Sequence, residues 1–246
     1  MKIRLDKYLA DSGLGTRSAV RSLLRSGSVF VNGIMVKDAA LKIDTENDKV
    51  FINGKELSYE EYEYYMLSKP AGVITATRDV REKTVVDLIE SRKRRDLFPV
   101  GRLDRDTEGL LIITNDGKLA HDLLSPSKHI TKTYYALVSG ELPQNIVEQF
   151  REGVDIGDEE LTKPAELVIL DKVADKDRIS PEEISEVEIT IYEGRYHEIK
   201  RMFEAFDCKV EYLKRLSMGE LMLDTALKPG EYRELTTEEI NLLKNH

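Results

Sequence analysis

Gly101-Arg102-Leu103-Asp104-Arg105-Asp106-Thr107-Glu108-Gly109-Leu110 places an acid between two arginines, directly after one apolar run and before another. Phe98-Pro99-Val100 on one side and Leu110-Leu111-Ile112-Ile113-Thr114 on the other have strand composition, so the charged stretch is a loop between rigid flanks. Spacing alone leaves two readings, an active-site loop or a solvated turn. Outward from it, from residue 65 onward, strand patterns (65–67, 73–77, 110–114, 133–138, 165–170, 187–192, 210–213 and 220–223) outnumber helical ones (85–91, 118–124, 144–151, 198–205 and a last helix from Thr236). The body is therefore expected to be α+β with a mostly antiparallel sheet. Thr236 and Glu239 have capping-box spacing at the last helix.

The 246 residues are 41% hydrophobic and 34% charged, enough for one ordinary domain plus a small one. No apolar run is long enough to span a bilayer, and the N-terminus opens on charge rather than on a signal-peptide core, which predicts a cytoplasmic protein without membrane association. Cys208 is the single cysteine, so an intrachain disulfide is excluded; its residue type predicts a small buried hydrophobe.

The net charge of −9 argues against a nucleic-acid partner until its distribution is considered. Residues 1–42 carry eight basic side chains (Lys2, Arg4, Lys7, Arg17, Arg21, Arg25, Lys37, Lys42) against Asp6, Asp11 and Asp38, a local +5 that leaves −14 for the rest. Such asymmetry fits a basic binding module on an acidic body. Ile3, Leu5, Tyr8 and Leu9 suggest one short helix, and Thr16 caps a second whose inner face is Val20, Leu23 and Leu24. Arg17, Arg21 and Arg25 recur every four residues and form a stripe away from that face, either solvated or meeting phosphate. Val29 to Val36 reads as a hairpin about Asn32-Gly33, and Val50 to Gly54 repeats the pattern. A small N-terminal domain at 1–58, a tyrosine-rich acidic linker at 59–64 and a larger domain at 65–246 follow.

Asp104, Asp106 and Glu108 resemble the opening of a calcium loop, but Glu108 at the fifth position and Asn115 at the twelfth break that pattern. A glycosidase-like pair of Asp104 and Asp106 is conceivable, although the flanking arginines favour ionised carboxylates over a proton donor. Neither a phosphate-binding Gly-Lys loop nor a dinucleotide fingerprint is present. A second constellation, Glu193 to Phe203, puts Ile199, Met202, Phe203 and Phe206 on one helical face and His197, Lys200 and Arg201 on the other; the basic face either meets phosphate or a carboxylate, or is solvated. In Lys132-Thr133-Tyr134-Tyr135, strand alternation sends the two tyrosines to opposite sides, so that one can line a pocket.

Together these motifs resemble the pseudouridine synthases of the RsuA type: Gly-Arg-Leu-Asp at 101–104 with Thr107 and Gly109-Leu110-Leu111, Lys132 with Tyr134, His197 with Lys200, and Lys69-Pro70-Ala71-Gly72 at the start of the domain. Arg4 to Leu9 and Val29 to Gly33 are similar to the αL RNA-binding module shared with a small-subunit ribosomal protein and tyrosyl-tRNA synthetases. The resemblance implies a two-helix module with a small sheet, followed by a catalytic domain with a mostly antiparallel mixed sheet. It also implies isomerisation of a uridine in RNA without cofactor or metal, by a monomer acting on ribosomal RNA or a small-subunit assembly intermediate. Asp104 would be the essential carboxylate, attacking C1′ or C6 or assisting elimination through a glycal. Lys200 would hold Asp104 ionised, Tyr134 would stack on the target base, and Arg102 would fill the gap left by the flipped nucleotide. Arg4, Lys7, Arg17, Arg21, Arg25, Arg195, His197 and Arg201 would contact RNA. Many relatives have arginine where Lys200 stands and glutamine where Glu198 stands; Glu198 receives no role. Leu124 to His129 resembles the branch acting on 16S rather than 23S ribosomal RNA, and a noncatalytic RNA-binding assembly factor is the reading from another class.

Overall fold

In the computed structural model, which describes residues 1–57, 59–92, 94, 96–173 and 184–245, both Asn-Gly pairs take the positive φ angles of tight hairpin turns: 50° and 81° at Asn32-Gly33, 49° and 80° at Asn53-Gly54. They close β2 (Val29–Val31) on β3 (Ile34–Met35), and β5 (Val50–Ile52) on β6 (Lys55–Leu57), in a sheet ordered β3-β2-β5-β6. A second, two-stranded sheet pairs β1 (Lys2–Arg4) with β4 (Lys42–Asp44). Helices α1 (Leu5–Asp11) and α2 (Arg17–Arg25) contribute Leu5, Tyr8, Leu9, Val20 and Leu24 to one core with Ile3, Val29 and Val50. Ile3, expected in the first helix, is a strand residue, because the chain at Lys2 to Arg4 pairs with Lys42 to Asp44 before α1 begins. Thr16 caps α2 as expected, accepting from the Ala19 amide.

The chain divides into two units, one formed by Met1–Glu63 with Glu90–Leu97, the other by Tyr64–Ile89 with Phe98–His246. The linker stretch 59–64 is divided between them, 59–63 grouping with the first unit and Tyr64 with the second. Tyr59 stacks on Tyr8 (centroids 4.8 Å apart) and its hydroxyl donates to Asp11, so the acidic stretch belongs with the first unit up to Glu63. Arg94, from the returning segment, is 4% exposed and pairs with Asp11 and Asp96. Ser58, at the expected boundary, lies outside the described residues.

The second unit is built on β7 (Tyr64–Lys69), β8 (Phe98–Pro99), β9 (Glu108–Thr114), β10 (Lys132–Ser139), β11 (Glu166–Val173), β12 (Ile184–Ile191), β13 (Lys209–Met218), β14 (Leu221–Met222) and β15 (Tyr232–Glu234). The main order is β11-β12-β10-β13-β9-β7-β15, with β8 on β9 and β14 on β13. Among these pairings β13 with β9 is the parallel one, so the expected mostly antiparallel mixed sheet is present. Leu110 to Ile113 of β9 are fully buried, each worth about 2 kcal/mol of burial. Leu110 and Ile112 pack with Met66, with Leu119 and Leu123 of α3 (Gly117–Leu124) and with Leu243 near the C-terminus. Helices α4 (Ile146–Glu152) and α5 (Glu198–Glu204) meet through Phe150 and Phe203, whose centroids are 5.0 Å apart. The last helix, α6 (Thr237–Lys244), has the expected capping box of Thr236 and Glu239. Cys208 is buried and unbridged.

Three elements differ from expectation. Residues 73–77 make a single bridge, Ile74 to Thr84, instead of a strand, because Thr75 is engaged with the Leu103 backbone. The helix expected at 85–91 is a 3₁₀ turn, Val85–Leu88, capped by Thr84 and Asp87. The strand expected to stop at Leu213 continues to Met218 with Lys214 and Arg215 inside it.

Candidate active site

The 101–107 loop is tied down on its inner side and is not a freely solvated turn. Thr75 Oγ1 donates to the Leu103 carbonyl (2.7 Å) and accepts from the Leu103 amide (3.3 Å). The Gly72 amide donates to the Arg105 carbonyl at 2.7 Å. Lys69, fully buried at the end of β7, donates from Nζ to the carbonyls of Pro70 (3.1 Å), Arg105 (3.3 Å) and Thr107 (2.8 Å). Burial pushes the Lys69 ammonium down to about 8, against the pull of Asp106, Asp104 and Glu108. Gly101 has φ +77°, and a Cβ there would meet Leu124 Cδ2 at 2.9 Å.

So held, Asp104 faces a cavity of about 760 Å³ bounded by Arg102, Lys132, Tyr134, His197, Lys200 and Arg215, among others. Lys200 of α5 bridges two acids: its Nζ is 3.2 Å from Asp104 Oδ2 and 2.7 Å from Asp106 Oδ1. The expected pair of Lys200 and Asp104 is thus present but shared, with the shorter contact to the exposed Asp106. For Asp106, burial pushes the carboxyl up, but the Lys200 hydrogen bond and charge outweigh it and leave it below the usual range. His197 Nε2 lies 3.5 Å from Asp104 Oδ1, at a residue in the left-handed region (φ 49°) that opens α5. Tyr134 lines the cavity and is 7% exposed, whereas Tyr135 turns away to meet Tyr212 edge-on, as alternation requires. Burial raises the Tyr134 hydroxyl, and the neighbouring Arg215 guanidinium opposes that. Arg102 is exposed at the cavity wall.

Arg195 and Arg201 lie next to this site with their guanidinium groups engaged. Arg195 reaches Asp158, Glu193 and the carbonyls of Glu160 and Leu161; Arg201 reaches Asp158 and the Ile156 carbonyl. Glu198, 4% exposed, accepts from the Arg195 amide at 2.8 Å and so closes the turn before α5. Its carboxyl is raised to about 7, chiefly by burial. Between about 4.5 and 7 the folded protein holds a proton that the unfolded chain releases, so stability falls as pH rises through that window. Glu198→Gln keeps the acceptor without the buried charge. It should match the parent below pH 4.5 and exceed it by on the order of 2 kcal/mol at pH 8 in denaturant titrations; parallel pH curves would contradict this.

Arg215 escaped sequence reasoning, because Lys214-Arg215 looks like the charged end of a strand. A register shift in β13 sets Arg215 opposite Tyr134 on β10. Arg215 is 2% exposed, donates from Nε to the Leu110 carbonyl at 2.7 Å, and has a buried Nη2 without a hydrogen-bond partner among the described residues, beside the cavity. The available signal was alternation: Leu213, Arg215 and Ser217 are successive inward positions.

In the first unit a smaller cavity of about 430 Å³ is lined by Lys2, Arg4, Lys7, Arg17 and Arg21 around Asp6. Arg4 holds Asp6 through two hydrogen bonds (3.0 and 2.9 Å), which keep that buried carboxyl below its usual range. Arg21 lies 3.7 Å from the same carboxylate, Lys7 pairs with Asp11, and Arg25 is exposed outside this cavity. Among the described residues no cluster of three His, Cys, Asp or Glu could hold a metal ion, and no helix is long and apolar enough to cross a membrane.

The family described as RNA pseudouridylate synthase matches residues 63–205, and the S4 domain matches residues 3–50. An uncharacterized RNA pseudouridine synthase of Bacillus subtilis (strain 168), YtzG, is 45% identical over 98% of each chain. Ribosomal small subunit pseudouridine synthase A of Vibrio vulnificus (strain CMCP6) is 41% identical over 97% of this chain and 98% of its own. Ribosomal large subunit pseudouridine synthase B of B. subtilis is 38% identical over 98% of this chain and 95% of its own. A crystal structure of a pseudouridylate synthase superposes with a TM-score of 0.66 at 37% identity, covering 98% of this chain and 99% of that one.

Proposed function

Since this chain belongs to the RNA pseudouridine synthase family and carries an S4 domain, we propose that it isomerises a specific uridine of 16S ribosomal RNA through Asp104. The observation that carries the reading is Asp104 at the wall of a cavity large enough for a nucleoside, flanked by Lys200 and His197 with Tyr134 on the same cavity. The reaction breaks the bond from N1 to C1′ and forms one from C5 to C1′; the C5 proton is lost to solvent and N1 takes one up. Lys200 pairs with Asp104 and aims it. Tyr134 offers its ring to the extruded base, and exposed Arg102 takes the vacated place in the RNA stack. Arg195 and Arg201 contribute by holding the 156–161 loop beside the cavity. Similarity to the Vibrio small-subunit enzyme, together with the 124–129 segment, favours 16S RNA; the large-subunit relative makes 23S RNA the runner-up. The protein acts in the cytoplasm, as a monomer, on rRNA or a small-subunit assembly intermediate.

Carbodiimide mapping of both rRNAs after incubation with the protein tests the substrate: a new stop at one 16S uridine is expected, and a stop confined to 23S RNA overturns the 16S assignment. The basic N-terminal side chains anchor the RNA. Replacing Arg17, Arg21 and Arg25 together by alanine should reduce the slope of log affinity against log salt by roughly 2 and weaken binding at low salt. An unchanged slope would place the anchor elsewhere.

A further inference from the structure

Tyr196 is an aromatic side chain that folding leaves uncovered: 74% exposed, on the wall of the Asp104 cavity. Its ring stacks on the His197 imidazole with centroids 3.9 Å apart and planes 17° from parallel. His197 in turn contacts Asp104. The left-handed backbone at His197 (φ 49°) sets the two rings side by side, and the Tyr196 carbonyl is anchored by Arg201 Nη1 at 3.2 Å. Among the described residues His197 is its ring partner, so one face is supported and the other is open to solvent. An open aromatic face contributes little to the stability of the unit, yet it is stacked on the histidine that contacts Asp104. Exposed Arg102 stands on the same cavity wall and supplies positive charge for a backbone passing there.

We infer that Tyr196 is a stacking platform for a nucleobase flanking the target uridine, a subsite on the wall of the same cavity and distinct from the place where Tyr134 meets the extruded base. This rests on the proposed RNA-modifying function. A ring supported from behind loses little entropy when a base covers its front, and base stacking on an aromatic is tolerant of base identity. The subsite therefore fixes the position of the strand relative to Asp104 without reading its sequence.

The test uses the full chain and an RNA hairpin spanning the mapped uridine, intact or with a single abasic ribose on its 5′ or 3′ side. Tyr196→Ala should raise KM on intact RNA roughly 5- to 100-fold with kcat little changed, and Tyr196→Phe should restore it. One abasic position should cost the parent protein the same factor and cost Tyr196→Ala nothing more. A KM for Tyr196→Ala within 2-fold of the parent (about 0.4 kcal/mol) overturns the inference. So does equal sensitivity of parent and variant to both abasic positions, or a loss confined to kcat, which would mean that Tyr196 acts only by orienting His197. Failure of the parent protein to convert any RNA would instead refute the functional reading.

Discussion

Asp104→Asn should abolish pseudouridine formation, by more than roughly 10³-fold, while RNA affinity stays within a few-fold and the melting temperature does not fall. The substitution is isosteric and removes one negative charge from a side chain that is 29% exposed. Lys200 is not left unpaired, because Asp106 retains its contacts at 2.7 and 2.9 Å. The loop keeps its shape, since its anchors are the Leu103, Arg105 and Thr107 backbone groups rather than the Asp104 side chain. Single-turnover assays and filter binding on the same RNA separate the two effects. Turnover comparable to the parent would remove Asp104 from the chemistry and leave a protein that binds RNA by charge and shape.

The largest loss of stability is expected for Gly109→Ala. Gly109 has φ +98°, and a Cβ there would sit 2.2 Å from the Arg215 carbonyl oxygen and 2.8 Å from its amide nitrogen. Those contacts are backbone on both sides, in the parallel pairing of β9 with β13, so rotamer changes cannot relieve them. A cost of about 4 kcal/mol or more follows, with a fall in melting temperature on the order of 10 °C or failure to fold. Gly157→Ala provides the comparison, because Gly157 has a similar positive φ of 79° with nothing among the described residues within 4 Å of the added carbon. It should lose only about 1 kcal/mol. Equal melting temperatures for the two variants would show that the close approach of β9 and β13 is not a constraint. If Gly109→Ala does fold, its activity should still drop, because the same junction joins the Asp104 loop to Arg215.

Local signals in the sequence found the hairpins, the caps and most strands, because each of these is set within a few residues. Asn32-Gly33 and Asn53-Gly54 dictate their turns whatever surrounds them, and Thr236 with Glu239 forms its capping box three residues apart. Asp104, Tyr134 and Lys200 are legible as separate motifs whose residues and order resemble a family, and the fold brings them to one cavity. What escaped depends on partners distant in sequence. Arg215 looks like a surface charge until β13 is seen to run between β9 and β10, with the register shift that sets it opposite Tyr134. Lys69 belongs to a legible motif, but its three carbonyl partners lie up to 38 residues away. The sharing of Lys200 between Asp104 and Asp106, and the return of Glu90–Leu97 to the N-terminal unit, are likewise set by tertiary contacts that no periodicity encodes.

Tritium release from C5-labelled uridine should be measured with the parent protein and with Asp104→Asn, on 16S and 23S transcripts, each free and bound to ribosomal proteins. Release from a 16S substrate, with none from 23S RNA and none by the variant, is the expected result. Release that persists in Asp104→Asn would contradict the role of the carboxylate, and the absence of release from every RNA, with binding retained, would contradict uridine isomerisation by this chain.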